Sequence, residues 1–344
     1  MSSTTSNERV RPLVVRFGAL GDMVILTVLL RHLHARFGEP VDVVSSGGWT
    51  RPLLESQPGI GKLYLVKSRR WPYWVSSEQQ ALVRLLRERG PSATWLADYE
   101  NTKTRALLHR AGWTPDHYCD SLAMPDLPGP HMCDLFLRFA YRNPQLLGGN
   151  YLPLTATDAY GSLHVSDAQH ADVEAWLAAR GLAAKQLILV QPGNKRTMRR
   201  GARQRASNSK YWPEENWASV IRGLHERHKD HAILLLGVPA EAELNDEILQ
   251  LAKVPNAINA AHDVPVPRLL ALATRAQGMI SVDTGPAHVA AAVGCRVVTL
   301  FGKTSPDHYA PRGPKANALC LTGRFQGEQS MLGITPQEVL KAWE

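Results

Sequence analysis

The chain has 344 residues, 44% of them hydrophobic and 20% charged, which suits a globular protein with more than one hydrophobic core and excludes general disorder. No apolar run approaches the ~20 residues that span a bilayer, and residues 1–11 are polar, without the apolar core of a signal peptide, so a soluble, cytoplasmic protein is expected. The net charge of +8 is local: Lys195, Arg196, Arg199, Arg200, Arg203, Arg205 and Lys210 form an acid-free basic loop and leave +1 for the rest of the chain, which excludes a surface built to coat nucleic acid and points to local binding or steering of anions.

In chain order, the apolar run at 12–17 predicts a short strand that ends in a small-residue turn, Gly18-Ala19-Leu20-Gly21. A helix follows over 22–37, with Val24, Val28, Leu29, Leu33 and Phe37 on its apolar face. Strands are predicted at 41–45, 60–66 and 94–99. Between the last two, 77–89 opens with Ser77-Glu78-Gln79-Gln80, an S-x-x-Q capping pattern, and continues as an amphipathic helix. Residues 143–165 are rich in Gly, Pro and Thr without a period and read as a linker. The alternation then restarts, with helices at 167–180, 213–228, 241–252 and 285–293 and strands at 186–191, 232–237, 278–283 and 296–301. A last helix over 336–343 begins with Thr335 as cap, Pro336 in its first position and Glu338 completing a capping box.

Strands alternating with helices at this spacing predict α/β architecture, two doubly wound domains of parallel sheet covered on both faces. The first spans 1–165, including the linker; the second spans 166–344 and carries the basic loop 194–210. Ligands of such sheets bind beyond the carboxyl ends of the strands, so an inter-domain cleft is the expected site. Cys119, Cys133, Cys295 and Cys320 form no CxxC pair and read as reduced, mostly buried thiols rather than a metal or disulfide framework.

Three segments carry chemistry. In Gly18-Ala19-Leu20-Gly21-Asp22 a strand turns into a helix whose free amides favour an anion, although Asp22 could equally serve as a helix cap. This is not the G-x-G-x-x-G of dinucleotide enzymes, and no ribose-binding acid follows on the second strand, which disfavours an NAD-dependent oxidoreductase. In Ser281-Val282-Asp283-Thr284-Gly285-Pro286-Ala287-His288 a strand-end acid, a hydroxyl and exposed amides suit a diphosphate, or simply a capped helix. Ser209-Lys210-Tyr211-Trp212-Pro213-Glu214-Glu215-Asn216-Trp217 places a lysine just ahead of a helix, where it can neutralise a phosphate.

Taken in this order, these motifs resemble the ADP-heptose:lipopolysaccharide heptosyltransferase family over nearly the whole chain. The resemblance rests on GALGD, on QPG followed by KYWPEENW, and above all on SVDTGPAHVAAAVGCRVVTLFG. Arg69-Arg70-Trp71 is similar to the basic-aromatic acceptor segment of the heptosyltransferase I branch. The resemblance implies a GT-B fold of two Rossmann-like domains facing a central cleft, with the acceptor on the N-terminal domain and the nucleotide sugar on the C-terminal one. It implies an inverting reaction that needs no cofactor and no metal. Asp22 matches the catalytic base. Lys210, Asp283, Thr284 and Gly285 match donor-phosphate positions, Glu241 the acid for the nucleotide ribose, and His288 a donor contact or a packed histidine. Gly21, Arg69, Arg70 and Lys103 fall on the acceptor side, where Trp71, Tyr73 and Trp74 either fringe the site or pack away. The connection between Gly193 and Lys210 is longer than the family's, which leaves Lys195 as a rival phosphate ligand.

The expected activity is transfer of heptose from ADP-heptose to the inner core of lipopolysaccharide, a Kdo- or heptose-bearing lipid A. The expected partners are that donor, an anionic glycolipid and, transiently, the cytoplasmic face of the inner membrane; nucleic acid is not expected. Another nucleotide sugar or acceptor on the same fold, and a non-catalytic nucleotide-binding protein, are the rival readings.

Overall fold

The computed structural model describes residues 10–121, 131–194, 197, 205, 208–315 and 317–344. Lys195 and most of the basic loop 194–210 lie outside the described residues. The chain divides into two compact units, Met1–Ala159 and Tyr160–Glu344. No helix among the described residues is long and apolar enough to cross a membrane.

The first unit contains β1 (Leu13–Val15), α1 (Leu20–Phe37), β2 (Val41–Ser45), α2 (Thr50–Leu54), β3 (Ile60–Leu65), α3 (Ser77–Arg89), β4 (Thr94–Leu96), α4 (Thr102–Arg110), β5 (Tyr118–Asp120) and α5 (Met132–Ala140). Its strands form one parallel sheet in the order β3-β2-β1-β4-β5. β1, β2 and β4 are buried throughout, as expected of a sheet covered on both faces. α1 is buried over most of its length because it covers the sheet and also packs on α5. The strand order reverses between β1 and β4, the switch point beyond whose carboxyl ends sheets of this kind bind ligands.

In the second unit run α6 (Asp167–Ala178), β6 (Leu187–Gln191), α7 (Glu214–Arg227), β7 (Ala232–Leu235), α8 (Ala242–Ala252), β8 (Ala257–Asn259), α9 (Val266–Arg275), β9 (Gly278–Val282), α10 (Gly285–Ala292), β10 (Val297–Phe301), α11 (Pro306–Tyr309) and β11 (Ala318–Thr322). A small antiparallel pair, β12 (Arg324–Phe325) and β13 (Glu328–Gln329), and α12 (Pro336–Trp343) complete it. The parallel sheet runs β11-β10-β9-β6-β7-β8, the strand order of the dinucleotide-binding fold, with its switch point between β6 and β9. α12 packs on α7, and Trp343 is buried where its indole donates to His228 Nε2 at 3.2 Å. A Cβ at position 278 would lie 2.8 Å from the Trp343 ring, so β9 starts with glycine where the indole crosses it.

Two sequence readings change in the structure, those of the α3 cap and of Arg205. The cap of α3 is Ser76 rather than Ser77: Ser76 is extended (φ −105°, ψ 98°) and its hydroxyl accepts the Gln79 amide at 3.3 Å. The tryptophans of KYWPEENW belong to the core, Trp212 meeting Trp217 edge-on at 4.9 Å between ring centroids. Within the basic loop, Arg205 is already neutralised. Its buried guanidinium pairs with Glu214 at 2.6 Å and takes both oxygens of Glu247, and those bonds, Glu247's first, hold its pKa above the ordinary arginine value. Arg205→Met should destabilise the second unit by about 2 kcal/mol, less than for a fully buried pair because Glu247 is partly solvated, as a denaturant melt would read.

The cysteines are free thiols, three of them buried. Burial pushes Cys119 and Cys295 up to about 12 and Cys320 to about 11. They are structural rather than reactive side chains.

Candidate functional site

The first group of candidate residues lies at the β1–β4 switch point. Beyond Val15 the chain leaves the sheet with Arg16 and Phe17, turns at Gly18 and enters α1 at Leu20. Asp22 is the third residue of that helix. Its Oδ2 accepts the Ala19 amide at 2.8 Å, the acid half of a capping box, so the capping reading of the motif holds. The other oxygen does something a cap does not require: Oδ1 meets Arg16 Nη2 at 2.9 Å. Asp22 keeps 30% of its side chain in solvent, whereas Arg16 keeps 4%. The carboxylate is therefore accessible while its cationic partner is not.

Arg16 is held from behind. Its Nη1 donates to the Ala97 carbonyl at 2.6 Å and lies 3.9 Å from Asp98 Oδ1, with the Tyr99 and Phe136 rings flanking the guanidinium. Asp98 follows β4, is buried, accepts the Phe17 amide at 2.8 Å and pairs with Arg69 Nη2 at 3.3 Å. Burial pushes the Asp98 carboxyl up, while the Phe17 amide, Arg69 and Arg16 oppose the shift. Arg69 stacks on the Phe17 ring at 3.6 Å and donates to Thr104 on α4; burial pulls its guanidinium below the ordinary arginine value. Asp22, Arg16, Asp98 and Arg69 thus form one alternating chain of charge.

Of the residues expected here, Gly21 and Asp22 share the first turn of α1, and Arg69 joins them through Asp98. Arg70 and Lys103 are not drawn in: both are exposed, Lys103 on the first turn of α4. Trp71 and Trp74 do not pack away; their side chains face solvent. Arg16 and Asp98 are the residues that reading the sequence missed. The available signal was a charged side chain closing each of two apolar runs, Arg16 after Leu13-Val14-Val15 and Asp98 after Trp95-Leu96-Ala97.

Gly18 is required by close approach. A Cβ there would come within 2.4 Å of Asp22 Cβ, an atom tied to the helix backbone. Gly18→Ala should move the carboxylate and lower turnover by about 10²-fold, the scale of an ångström-level misplacement. Affinity for nucleotide, measured by calorimetry, should stay unchanged.

The second group of candidate residues lies at the β6–β9 switch point. Lys210 reaches Asp283, just after β9, with Nζ 2.6 Å from Oδ2 and 2.9 Å from the main-chain carbonyl. Position 302, at the end of β10, presses on this segment: a Cβ there would lie 1.8 Å from the Ser209 carbonyl. Thr284 caps α10 in an extended conformation (φ −155°, ψ 168°) without a side-chain bond to the helix, leaving the Gly285 end of α10 positioned for an anion. His288 is buried one turn further along α10.

Glu241 stands apart from this group, on the turn between β7 and α8, and is buried. Its Oε2 accepts the Val238 amide at 2.9 Å. Burial pushes its pKa up, and the Val238 amide and the Gln191 side chain oppose that. The carboxylate fits because Gly193 and Gly237 border it; a Cβ at either would lie 2.9 or 3.0 Å from a carboxylate oxygen. The glycine of QPG thus makes room for Glu241.

The accessible acid on one unit can accept a proton, and the lysine with its helix N-terminus on the other can hold a diphosphate. The sequence model of glycosyltransferase family 9 (heptosyltransferase) matches residues 163–334, half of the chain and nearly all of the second unit. The chain belongs to glycosyltransferase family 9.

This family 9 glycosyltransferase is 24% identical to lipopolysaccharide heptosyltransferase 2 of Salmonella typhimurium, with 96% of each chain aligned. In structure it is similar to Escherichia coli ADP-heptose lps heptosyltransferase II (TM-score 0.71, 21% identity, covering 96% of this chain and 97% of that one). It is likewise similar to E. coli heptosyltransferase WaaC with ADP (TM-score 0.71, 19% identity, 96% and 98% covered). These likenesses identify the fold of this family 9 enzyme as GT-B, built from two Rossmann-like units.

Proposed function

We propose that this enzyme transfers heptose, with inversion, from ADP-heptose to the inner core of lipopolysaccharide at the cytoplasmic face of the inner membrane. The observation that carries the reading is Asp22, an accessible carboxylate held on a buried arginine at a switch point, in a family 9 chain that also carries the Lys210–Asp283–α10 group. The names of the full-length relative and of the solved neighbours, which include heptosyltransferase WaaC with ADP and with ADP-2-deoxy-2-fluoro heptose, support the donor and the acceptor class.

In this reaction the acceptor hydroxyl attacks the anomeric carbon as the bond to the diphosphate oxygen breaks. ADP departs with the electron pair, and Asp22 takes the hydroxyl proton. Anomeric attack of this kind passes through an oxocarbenium-like state, so charge grows on the leaving diphosphate. Lys210 and the amides at the Gly285 end of α10 would meet that charge without reorganising, and no metal would be needed. Glu241 would accept hydroxyl hydrogens of the nucleotide ribose and His288 would contact the donor. Arg69, linked to Asp22 through Asp98 and Arg16, would receive an anionic group of the acceptor.

The test is ADP release from ADP-heptose with and without a Kdo-lipid A acceptor, in the presence of EDTA. Acceptor-dependent, EDTA-insensitive release is the expected result. ADP binding without release would mean a different sugar or acceptor, and failure to bind any adenine nucleotide would overturn the donor assignment.

A further inference from the structure

The chain between β3 and the middle of α3 has an unusual surface. Trp71, Trp74 and Val75 are 69%, 76% and 54% exposed, and Leu65 and Leu85 are exposed as well. Buried indoles and aliphatic side chains are the norm, and an exposed cluster of them marks an interaction surface. The exposure does not come from a loose loop. Gln79 on α3 donates to the Trp71 carbonyl at 2.9 Å, and Gln80 donates to the Tyr73 and Trp74 carbonyls at 3.2 Å each. Tyr73–Val75 is a turn of 3₁₀ helix whose following residue, Ser76, caps α3. Arg110 covers the Tyr73 ring at 4.8 Å. The backbone is satisfied and pinned, and the two indoles are presented outward.

The same stretch is basic, with Lys67, Arg69, Arg70, Arg84 and Arg87 against the single acid Glu78 between Leu65 and Arg87. Lys67, Arg70 and Arg84 are exposed. Beside them a mainly apolar groove of about 610 Å³ is lined by Leu65, Val66, Lys67, Glu78, Ala81, Leu82 and Leu85 with Gly47 and Gly48, and Lys67, 91% exposed, has its Nζ 3.5 Å from the Glu78 carboxylate. Tryptophans with a ring of cations around aliphatic side chains are the composition that seats at the headgroup level of an anionic bilayer.

We propose that this face, from Leu65 to Leu85, docks the first unit onto an anionic phospholipid surface. The inference rests on the proposed function, since a lipid-anchored acceptor is what makes such docking useful. The connection to the site is covalent and short: Arg69 turns inward to Asp98, and two residues later Trp71 turns outward. Docking would therefore set the Arg69 end of the Asp22 group beside the surface that carries the acceptor.

The experiment is co-sedimentation of the full chain with phosphatidylcholine vesicles, with and without phosphatidylglycerol, paired with transfer to a deacylated, water-soluble acceptor. The native protein should sediment with phosphatidylglycerol vesicles and be released by salt. A Val75→Ser, Leu85→Ser variant should partition about tenfold less, the scale of losing one large apolar side chain from the interface. A Lys67→Glu, Arg84→Glu variant should lose the preference for anionic vesicles, also by about tenfold or more. Both variants should melt like the native protein and keep native transfer to the soluble acceptor. Native protein that ignores phosphatidylglycerol vesicles, or variants that bind them as well as the native chain, would overturn the proposal. So would loss of transfer to the soluble acceptor with vesicle binding intact, which would assign this face to the acceptor's sugars. Vesicle binding that follows this pattern in a chain inactive on ADP-heptose would support the docking face and overturn the reaction instead.

Discussion

Asp22→Asn should lower kcat by about 10²–10⁴-fold, the range for losing a general base, while ADP affinity stays at its native value. The separation follows from where the residues lie: Asp22 belongs to the first unit, and Lys210, Glu241, Asp283 and Gly285 to the second. The substitution is gentle on the fold. An asparagine oxygen can still accept the Ala19 amide, and Arg16 keeps its bond to the Ala97 carbonyl and its place beside Asp98. What disappears is a charge in the first turn of α1, worth about 0.3–1 kcal/mol at an exposed helix end, together with the ion pair to Arg16, whose remaining acid is Asp98. A steady-state assay of ADP release beside a thermal melt reads both quantities. A variant with native turnover would remove Asp22 from the chemistry and leave it as a helix cap. A variant that fails to fold would be replaced by Asp22→Glu, whose displaced carboxylate should retain stability but not full turnover.

Lys210→Met carries the second large effect, a fall in kcat of about 10²–10³-fold, typical for removing one group that stabilises transition-state charge. Its ammonium is engaged by Asp283, with the carboxylate at 2.6 Å and the carbonyl at 2.9 Å. The pair is close to neutral, so ground-state attraction of the diphosphate would fall mainly to the amides at the start of α10. Charge added during departure of ADP is what an additional ammonium proton donor meets best. The loss should therefore appear in kcat more than in the Michaelis constant for donor. Removing the lysine also leaves the buried Asp283 without its cation, so a Lys210→Met, Asp283→Asn chain serves as the control for damage from an unpaired acid. The same measurement on Lys195→Met decides between the rivals: a larger loss there than at Lys210 would transfer the phosphate role to Lys195.

The amino-acid sequence by itself determined the α/β class, most of the long helices and buried strands, the free thiols and the family. These depend on local periodicity, caps and short motifs, which are written in neighbouring residues. α12, for instance, begins where its Thr335, Pro336 and Glu338 signals place it. Other elements escaped: α4, α5, α9 and β11, and also β5 and β8, which have three residues each and owe their pairing to β4 and β7. The tertiary structure alone decided how the charges are used. Arg205, one of a run of cations, is buried between Glu214 and Glu247; Arg16, inside an apolar run, holds Asp22; and Asp98 binds Arg69 across 29 residues of chain. Such pairings join residues distant in sequence, and their partners are selected by which strand ends the parallel sheet brings together. Charge is legible in a sequence, but what neutralises it is a property of the fold.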